Sequence, residues 1–260
     1  MKRTNLILVL LLFCLISGQI TANTGEKKVL DIVFIGNSIT YGAGLSDPKH
    51  DAPPVKAAIY LEKQPGIASV KFANMGVSGC TTVDYLPETG TLFSGMQEVA
   101  DKFKDDKGST IIFSIMLGTN DSAVKGTNGC PVSPEQYQVN MRKIIDRLLV
   151  LYPSCIVVVN RPVWYSPNTY NGAMYLQEGL ERLQAYYPEL RKLVSYYSEI
   201  NPGRVYLGDT LGFDYFKKHA EEELQREQGN AGIFLLHPNQ KGALSLGELW
   251  GKAIYNIMFE

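Results

Sequence analysis

The sequence predicts an α/β fold, a parallel sheet with helices on both faces, and three observations carry that prediction. Five short apolar or β-branched runs read as strands, and segments of helical spacing separate them. The strongest run, Thr110–Leu117, is apolar nearly throughout, as a strand buried on both faces must be. Strands alternating with helices form parallel sheets joined by right-handed crossovers. With 260 residues, 45% hydrophobic and 20% charged, the chain can bury one full core, and no linker or repeat divides it.

The elements follow in order. Met1–Ala22 reads as a leader: Lys2 and Arg3 form a basic start, Leu6–Ile16 an apolar stretch, and Ile20-Thr21-Ala22 a small-residue cleavage site. The apolar stretch is short for a membrane span. An uncleaved anchor or a lipidated Cys14 are the other readings, the second disfavoured by the bulky Phe13. Residues 1–22 are therefore expected to be a signal peptide and residues 23–260 a single exported domain, periplasmic or secreted, with no membrane span in the mature chain.

The strand runs are Leu30–Ile35, Ser69–Asn74, Thr110–Leu117, Cys155–Asn160 and Arg204–Leu207. Helical spacing marks Val55–Glu62 (within the tract Asp51–Gln64, which reads as a helix), Met96–Phe103, Pro134–Leu151 and Met174–Ile200, and Asn239–Met258 reads as a final amphipathic helix. Ser133 before Pro134 is a good helix start, a capping hydroxyl followed by proline at the first helical position. Pro167–Gly172 is turn-rich and polar, and is expected to be an exposed loop over the sheet edge.

A formal net charge of −1 and the lack of a Lys/Arg cluster give no sign of a nucleic-acid partner. No His/Cys/Asp grouping has metal-ligand spacing, so neither metal nor cofactor is expected. Without Cys14, three cysteines remain. Cys155 reads as a buried thiol, while Cys80 and Cys130 lie in loops where export would permit a disulfide.

In a parallel sheet every strand's carboxyl end opens on one rim, where ligands bind. Ser38 follows the first strand in Gly36-Asn37-Ser38-Ile39-Thr40. Gly79 follows the second in Gly76-Val77-Ser78-Gly79, and Asn120 the third in Gly118-Thr119-Asn120-Asp121. His237 precedes the last helix in His237-Pro238-Asn239. A hydroxyl nucleophile, a base that removes its proton, and N–H donors for an oxyanion make up the chemistry of acyl transfer. Each residue also has a plain structural alternative. Ser38 would serve as a helix cap, Gly79 as a turn, Asn120 as a loop brace, and His237 as a packed helix-entry residue. The other histidines are less suited: His219 reads as a solvated helix face, and His50 lies in the loop after the serine, within possible reach of substrate.

Four blocks in this order resemble the SGNH (GDSL-like) hydrolases, over essentially the whole chain after the leader. The resemblance implies a flavodoxin-like, three-layer α/β/α sandwich around a five-stranded parallel sheet. It makes Ser38 the nucleophile and His237 the base, with Ser38, Gly79 and Asn120 forming the oxyanion hole. The serine comes early and without a Gly-x-Ser-x-Gly elbow, unlike the α/β-hydrolases. Two departures stand out. Asn37 replaces the aspartate of the family's name, and Phe234 occupies the position, three before the histidine, where the family usually carries the aspartate that orients the imidazole. Three candidates remain to partner His237: a backbone carbonyl, Glu227 or Asp209.

Export and the resemblance together suggest an esterase that removes O-acetyl groups from carbohydrates, with a small-molecule or glycan ester as its partner. Tyr41, Tyr85, Trp164, Tyr165 and Tyr170 offer stacking surfaces for sugar rings, or else ordinary core packing. The alternatives are a lysophospholipase or short-chain lipase, and a non-catalytic glycan-binding relative that lost the chemistry with the aspartate. The sequence does not set the oligomeric state.

Overall fold

The computed structural model describes residues 27–88, 91–104 and 106–259. The predicted leader, residues 1–22, lies outside the described residues. The chain runs β1 (Lys28–Gly36), α1 (Ser38–Tyr41), α2 (Pro48–Asp51), α3 (Pro53–Glu62), β2 (Ile67–Gly76), α4 (Thr91–Phe103), β3 (Ser109–Met116), α5 (Pro134–Leu151) and β4 (Ile156–Val159). It continues through α6 (Leu176–Ile200), β5 (Val205–Leu207), α7 (Gly212–Lys218), α8 (Ala220–Glu223), β6 (Leu224–Gly229), β7 (Gly232–Pro238) and α9 (Gln240–Phe259). All five predicted strands and the five predicted helices form. Ser133 caps α5 as expected, its hydroxyl accepting from the Gln136 N–H.

The five strands make one parallel sheet in the order β2-β1-β3-β4-β5. This is the flavodoxin-like order, with its switch point between β1 and β3. Strand side chains alternate between faces, and the packing follows. Phe34 on β1 stacks on Trp250 of α9 at 5.9 Å, placing α9 and its neighbour α3 on one face. Phe113 of β3, in register with Val33, meets Tyr152 at the end of α5 on the other face. There α5 packs on α6 through the stacked rings of Tyr137 and Tyr186, 4.2 Å apart. Leu30 and Ile32–Ile35 are buried from both sides, as the apolar run required.

The register places the site. Gly36 is level with Gly76 on β2 and with Met116 on β3, so three strands end at one height. The loops carrying Ser38, Gly79 and Asn120 therefore start side by side. Gly76 is needed for close approach: a Cβ there would stand 2.2 Å from the Tyr41 backbone nitrogen.

One supersecondary unit was not foreseen. β6 and β7 form an antiparallel hairpin, and His237, read only as preceding the last helix, sits on β7. Its strand signal is weak because β6, Leu-Gln-Arg-Glu-Gln-Gly, is polar and only alternately buried. The readable cue was the turn, two residues flanked by Gly229 and Gly232, with Gly232 at φ 90°.

Candidate active site

Asn37, rather than Ser38, caps the one-turn helix α1; its Oδ1 accepts from the Ile39 N–H at 3.0 Å. The Ser38 hydroxyl is thereby left for other work. Its Oγ lies 2.8 Å from His237 Nε2. On the far side of the ring, His237 Nδ1 lies 2.9 and 3.0 Å from the two carboxylate oxygens of Glu227. An ionised carboxylate only accepts, so Nδ1 carries the proton and Nε2 accepts from the serine O–H. The Glu227 carboxylate also accepts from the His237 backbone N–H at 3.3 Å, which ties the acid to the strand as well as to the ring.

Of the three candidates for partnering His237, Glu227 is the one in place. It comes from β6, directly opposite Phe234 in the hairpin register. Phe234 is buried in the core. Asp209 is engaged elsewhere, its carboxylate accepting from the Leu211 and Gly212 N–H groups at the start of α7. Burial raises its pKa above the ordinary carboxylate value.

The predicted oxyanion donors converge on the same cleft. Ser38, Gly79, Asn120 and His237 all line a cavity of about 280 Å³. Gly79 adopts φ +81°, the left-handed region that glycine reaches without steric cost. The N–H groups of Ser38 and Gly79 find no acceptor among the described residues. Asn120 Nδ2 donates one hydrogen to the Cys80 carbonyl at 2.7 Å, and its Oδ1 accepts from the Tyr175 hydroxyl at 2.6 Å. The second Nδ2 hydrogen is left for the cleft.

A buried carboxylate holds the Gly79 loop. Asp121 accepts from the Thr82 N–H at 2.9 Å and from the Thr82 hydroxyl, and Asn140 Nδ2 donates to that hydroxyl at 2.9 Å. Burial pushes Asp121 up to about 6, against the lowering effect of the Thr82 bonds.

Several open readings are decided, and one expectation, that for Pro167–Gly172, is corrected. Cys80 and Cys130 are free thiols: Cys80 donates to the Gly36 carbonyl at 3.3 Å, and Cys130 accepts from the Thr127 N–H at 3.4 Å. Cys155 is a buried thiol, as read. His50 pairs with Asp47 at 2.7 Å and does not line the cleft. Tyr85, Trp164 and Tyr165 belong to the core, while Tyr41 is exposed and borders a neighbouring depression. The Pro167–Gly172 stretch does not simply hang over the sheet edge, because Asn171 lines the cleft and the Tyr170 carbonyl accepts from the Asn230 N–H of the hairpin turn.

Sequence reasoning missed Thr127, Ala173, Tyr175 and Leu236 as cleft residues. They come from three separate segments and carry no local pattern. Among the described residues no His/Cys/Asp/Glu group could hold a metal ion, and no helix is long and apolar enough to cross a membrane.

A sequence profile of the GDSL-like Lipase/Acylhydrolase family matches residues 34–243. No curated protein matches the chain. Among solved structures it resembles a carbohydrate acetylesterase from Sinorhizobium meliloti, with TM-score 0.58 and 17% identity over 88% of this chain and 99% of that one. It also resembles the aryl esterase of M. smegmatis, with TM-score 0.56 and 15% identity over 88% and 99% of the two chains. A two-domain esterase active on acetylated mannans matches with TM-score 0.53 and 14% identity over 90% of this chain and 50% of the other. At these identities the likeness to solved structures is one of fold.

Proposed function

The chain belongs to the GDSL-like lipase/acylhydrolase family, and from that premise we propose that it is a serine esterase removing O-acetyl groups from carbohydrates. The observation that carries the proposal is the continuous line from Ser38 Oγ through His237 to Glu227, lying beside donors from Gly79 and Asn120. Ser38 attacks the acyl carbonyl while His237 Nε2 takes its proton, and Glu227 holds the ring and stabilises the imidazolium. The carbonyl oxygen, now an oxyanion, accepts from the Ser38 and Gly79 N–H groups and from Asn120 Nδ2. Collapse expels the alcohol, which His237 protonates, leaving an acyl group on Ser38. Water, deprotonated by the same imidazole, then releases the acid.

The small acyl group is supported by the cleft itself. Its aliphatic side chains are Ala43, Ala173 and Leu236, and the rest of its wall is mostly glycine and polar groups. For a long hydrocarbon chain that wall offers only these three aliphatic side chains and the Tyr175 ring. The carbohydrate half is supported by the resemblance to a carbohydrate acetylesterase and to an esterase active on acetylated mannans. We further propose that the protein is exported and begins near Asn23 once its leader is removed, which intact-mass measurement of secreted protein checks.

The test is hydrolysis of an aryl acetate beside an aryl octanoate, by wild type and Ser38→Ala, followed by acetate release from acetylated xylan or mannan. Acetate turnover lost in the variant is the expected result. Faster octanoate turnover moves the assignment to a lipid-directed esterase, and no turnover by folded protein overturns it.

A further inference from the structure

The segment between β4 and α6 joins the two halves of the site. Ser166 donates its N–H to the Leu235 carbonyl and accepts from the Leu235 N–H through Oγ, both at 2.8 Å. Asn168 Nδ2 donates to the Ile233 carbonyl at 2.7 Å. These bonds fasten the segment to β7, two residues short of His237. Its other end is fastened to the Asn120 loop: Met174 donates to the Lys125 carbonyl at 3.0 Å, and Val124 to the Met174 carbonyl at 2.6 Å.

Tyr175 stands at that end. Its N–H and that of Leu176 both donate to the Thr169 carbonyl, at 3.2 and 3.1 Å. Leu176, at φ 55°, is the one non-glycine residue with left-handed backbone among the described residues. Such a conformation persists where surroundings over-determine it. Here it accompanies a buried ring whose hydroxyl reaches Asn120 Oδ1 at 2.6 Å. Turning the Asn120 amide over would set its oxygen against the Cys80 carbonyl and take the second N–H out of the cleft. Losing the Tyr175 hydroxyl would leave a buried amide oxygen without a donor.

We propose that Tyr175 is a positioning residue: its hydroxyl holds the Asn120 amide in the orientation that presents N–H to the oxyanion, and the Ser166–Tyr175 segment keeps that donor in register with the strand bearing His237. The inference rests on the serine-esterase reading above.

The experiment is a double-mutant cycle on aryl acetate turnover with Tyr175→Phe and Asn120→Ala. Phenylalanine keeps the ring and its edge contact with Tyr165. We expect Tyr175→Phe to lower kcat roughly tenfold with KM within about twofold, the loss of one hydrogen bond felt in the transition state. Asn120→Ala should cost about 10²–10³-fold, and the double variant should match Asn120→Ala within about twofold, because Tyr175 acts through Asn120. Tyr165→Phe, which loses an equally buried hydroxyl bonded to Ser122 instead, is the structural control and should combine additively with Asn120→Ala. Additive losses for Tyr175→Phe and Asn120→Ala, an unchanged kcat, or an effect confined to KM would each overturn the inference. A wild type without Ser38-dependent turnover would overturn the esterase reading and this inference with it. Turnover that depends on Ser38, combined with additive losses, overturns this inference alone.

Discussion

Glu227 stands directly across the β6–β7 hairpin from Phe234, and its carboxylate, 2.9 Å from His237 Nδ1, meets the imidazole from the facing strand. The usual aspartate position, three residues before the histidine, is occupied by a core phenylalanine, and the acid is supplied by the other strand of the same hairpin. Antiparallel pairing makes this exchange possible, because residues opposite one another have Cα atoms only about 4.5–5.5 Å apart, within side-chain reach of the same neighbours.

Glu227→Gln is expected to lower kcat by about 10²–10⁴-fold, since an amide no longer stabilises the imidazolium and can favour the wrong tautomer. A loss under about threefold would mean that His237 works without an acid. Restoring the family pattern should not rescue the variant. Phe234→Asp, added to Glu227→Gln, places a carboxylate where Phe234 is 1% exposed, against the backbone of the hairpin turn. It should cost roughly 3–5 kcal/mol of stability, from the lost ring and the buried charge. Urea unfolding and aryl acetate turnover of the pair of variants check both halves.

Asp121 gives a pH dependence of unusual sign. Burial pushes its pKa up to about 6 from the ordinary 3.8. Between those values the folded chain keeps a proton that the unfolded chain has released, so Asp121 makes the fold less stable as pH rises from about 4 to 6. The effect is complete above pH 6 and absent below 4. Asp121→Asn removes it, so the stability of wild type relative to this variant should improve on acidification by up to about 3 kcal/mol. Urea unfolding of both proteins at pH 7 and pH 4 measures the difference, and a constant difference would show that Asp121 titrates normally.

The cysteines predict a labelling pattern. Burial holds the Cys80 thiol well above its ordinary value and pushes Cys155 up to about 11. Thiols in that state are poor nucleophiles. Iodoacetamide at pH 8 should modify Cys130, which is partly exposed, and reach Cys80 and Cys155 only after unfolding. Dithiothreitol should leave the melting temperature unchanged, whereas a drop would reveal a disulfide.

What the sequence determined by itself was the sheet and most of the rim. Burial on both faces forces long apolar strand runs, and helices packed on a sheet need a 3.6-residue apolar stripe, so Leu30–Ile35, Thr110–Leu117 and Tyr137–Leu149 were legible one at a time. Ser38, Gly79 and Asn120 were legible because a parallel sheet sends every strand end to the same edge, and the level register of Gly36, Gly76 and Met116 then brings their loops together. Only the tertiary structure decided which acid meets His237, since Glu227 lies on the strand paired with β7 while Asp209 sits past the end of β5 at the start of α7, and nothing in either local sequence shows which of them faces the ring. It alone showed the β6–β7 hairpin, whose polar first strand gains its order from pairing rather than from an apolar face. It also turned Pro167–Gly172 from a loop at the edge into part of the cleft wall. Such contacts join residues tens of positions apart through hydrogen bonds to backbone and single side chains, as Tyr175 meets Asn120, and these leave no periodic trace in the chain.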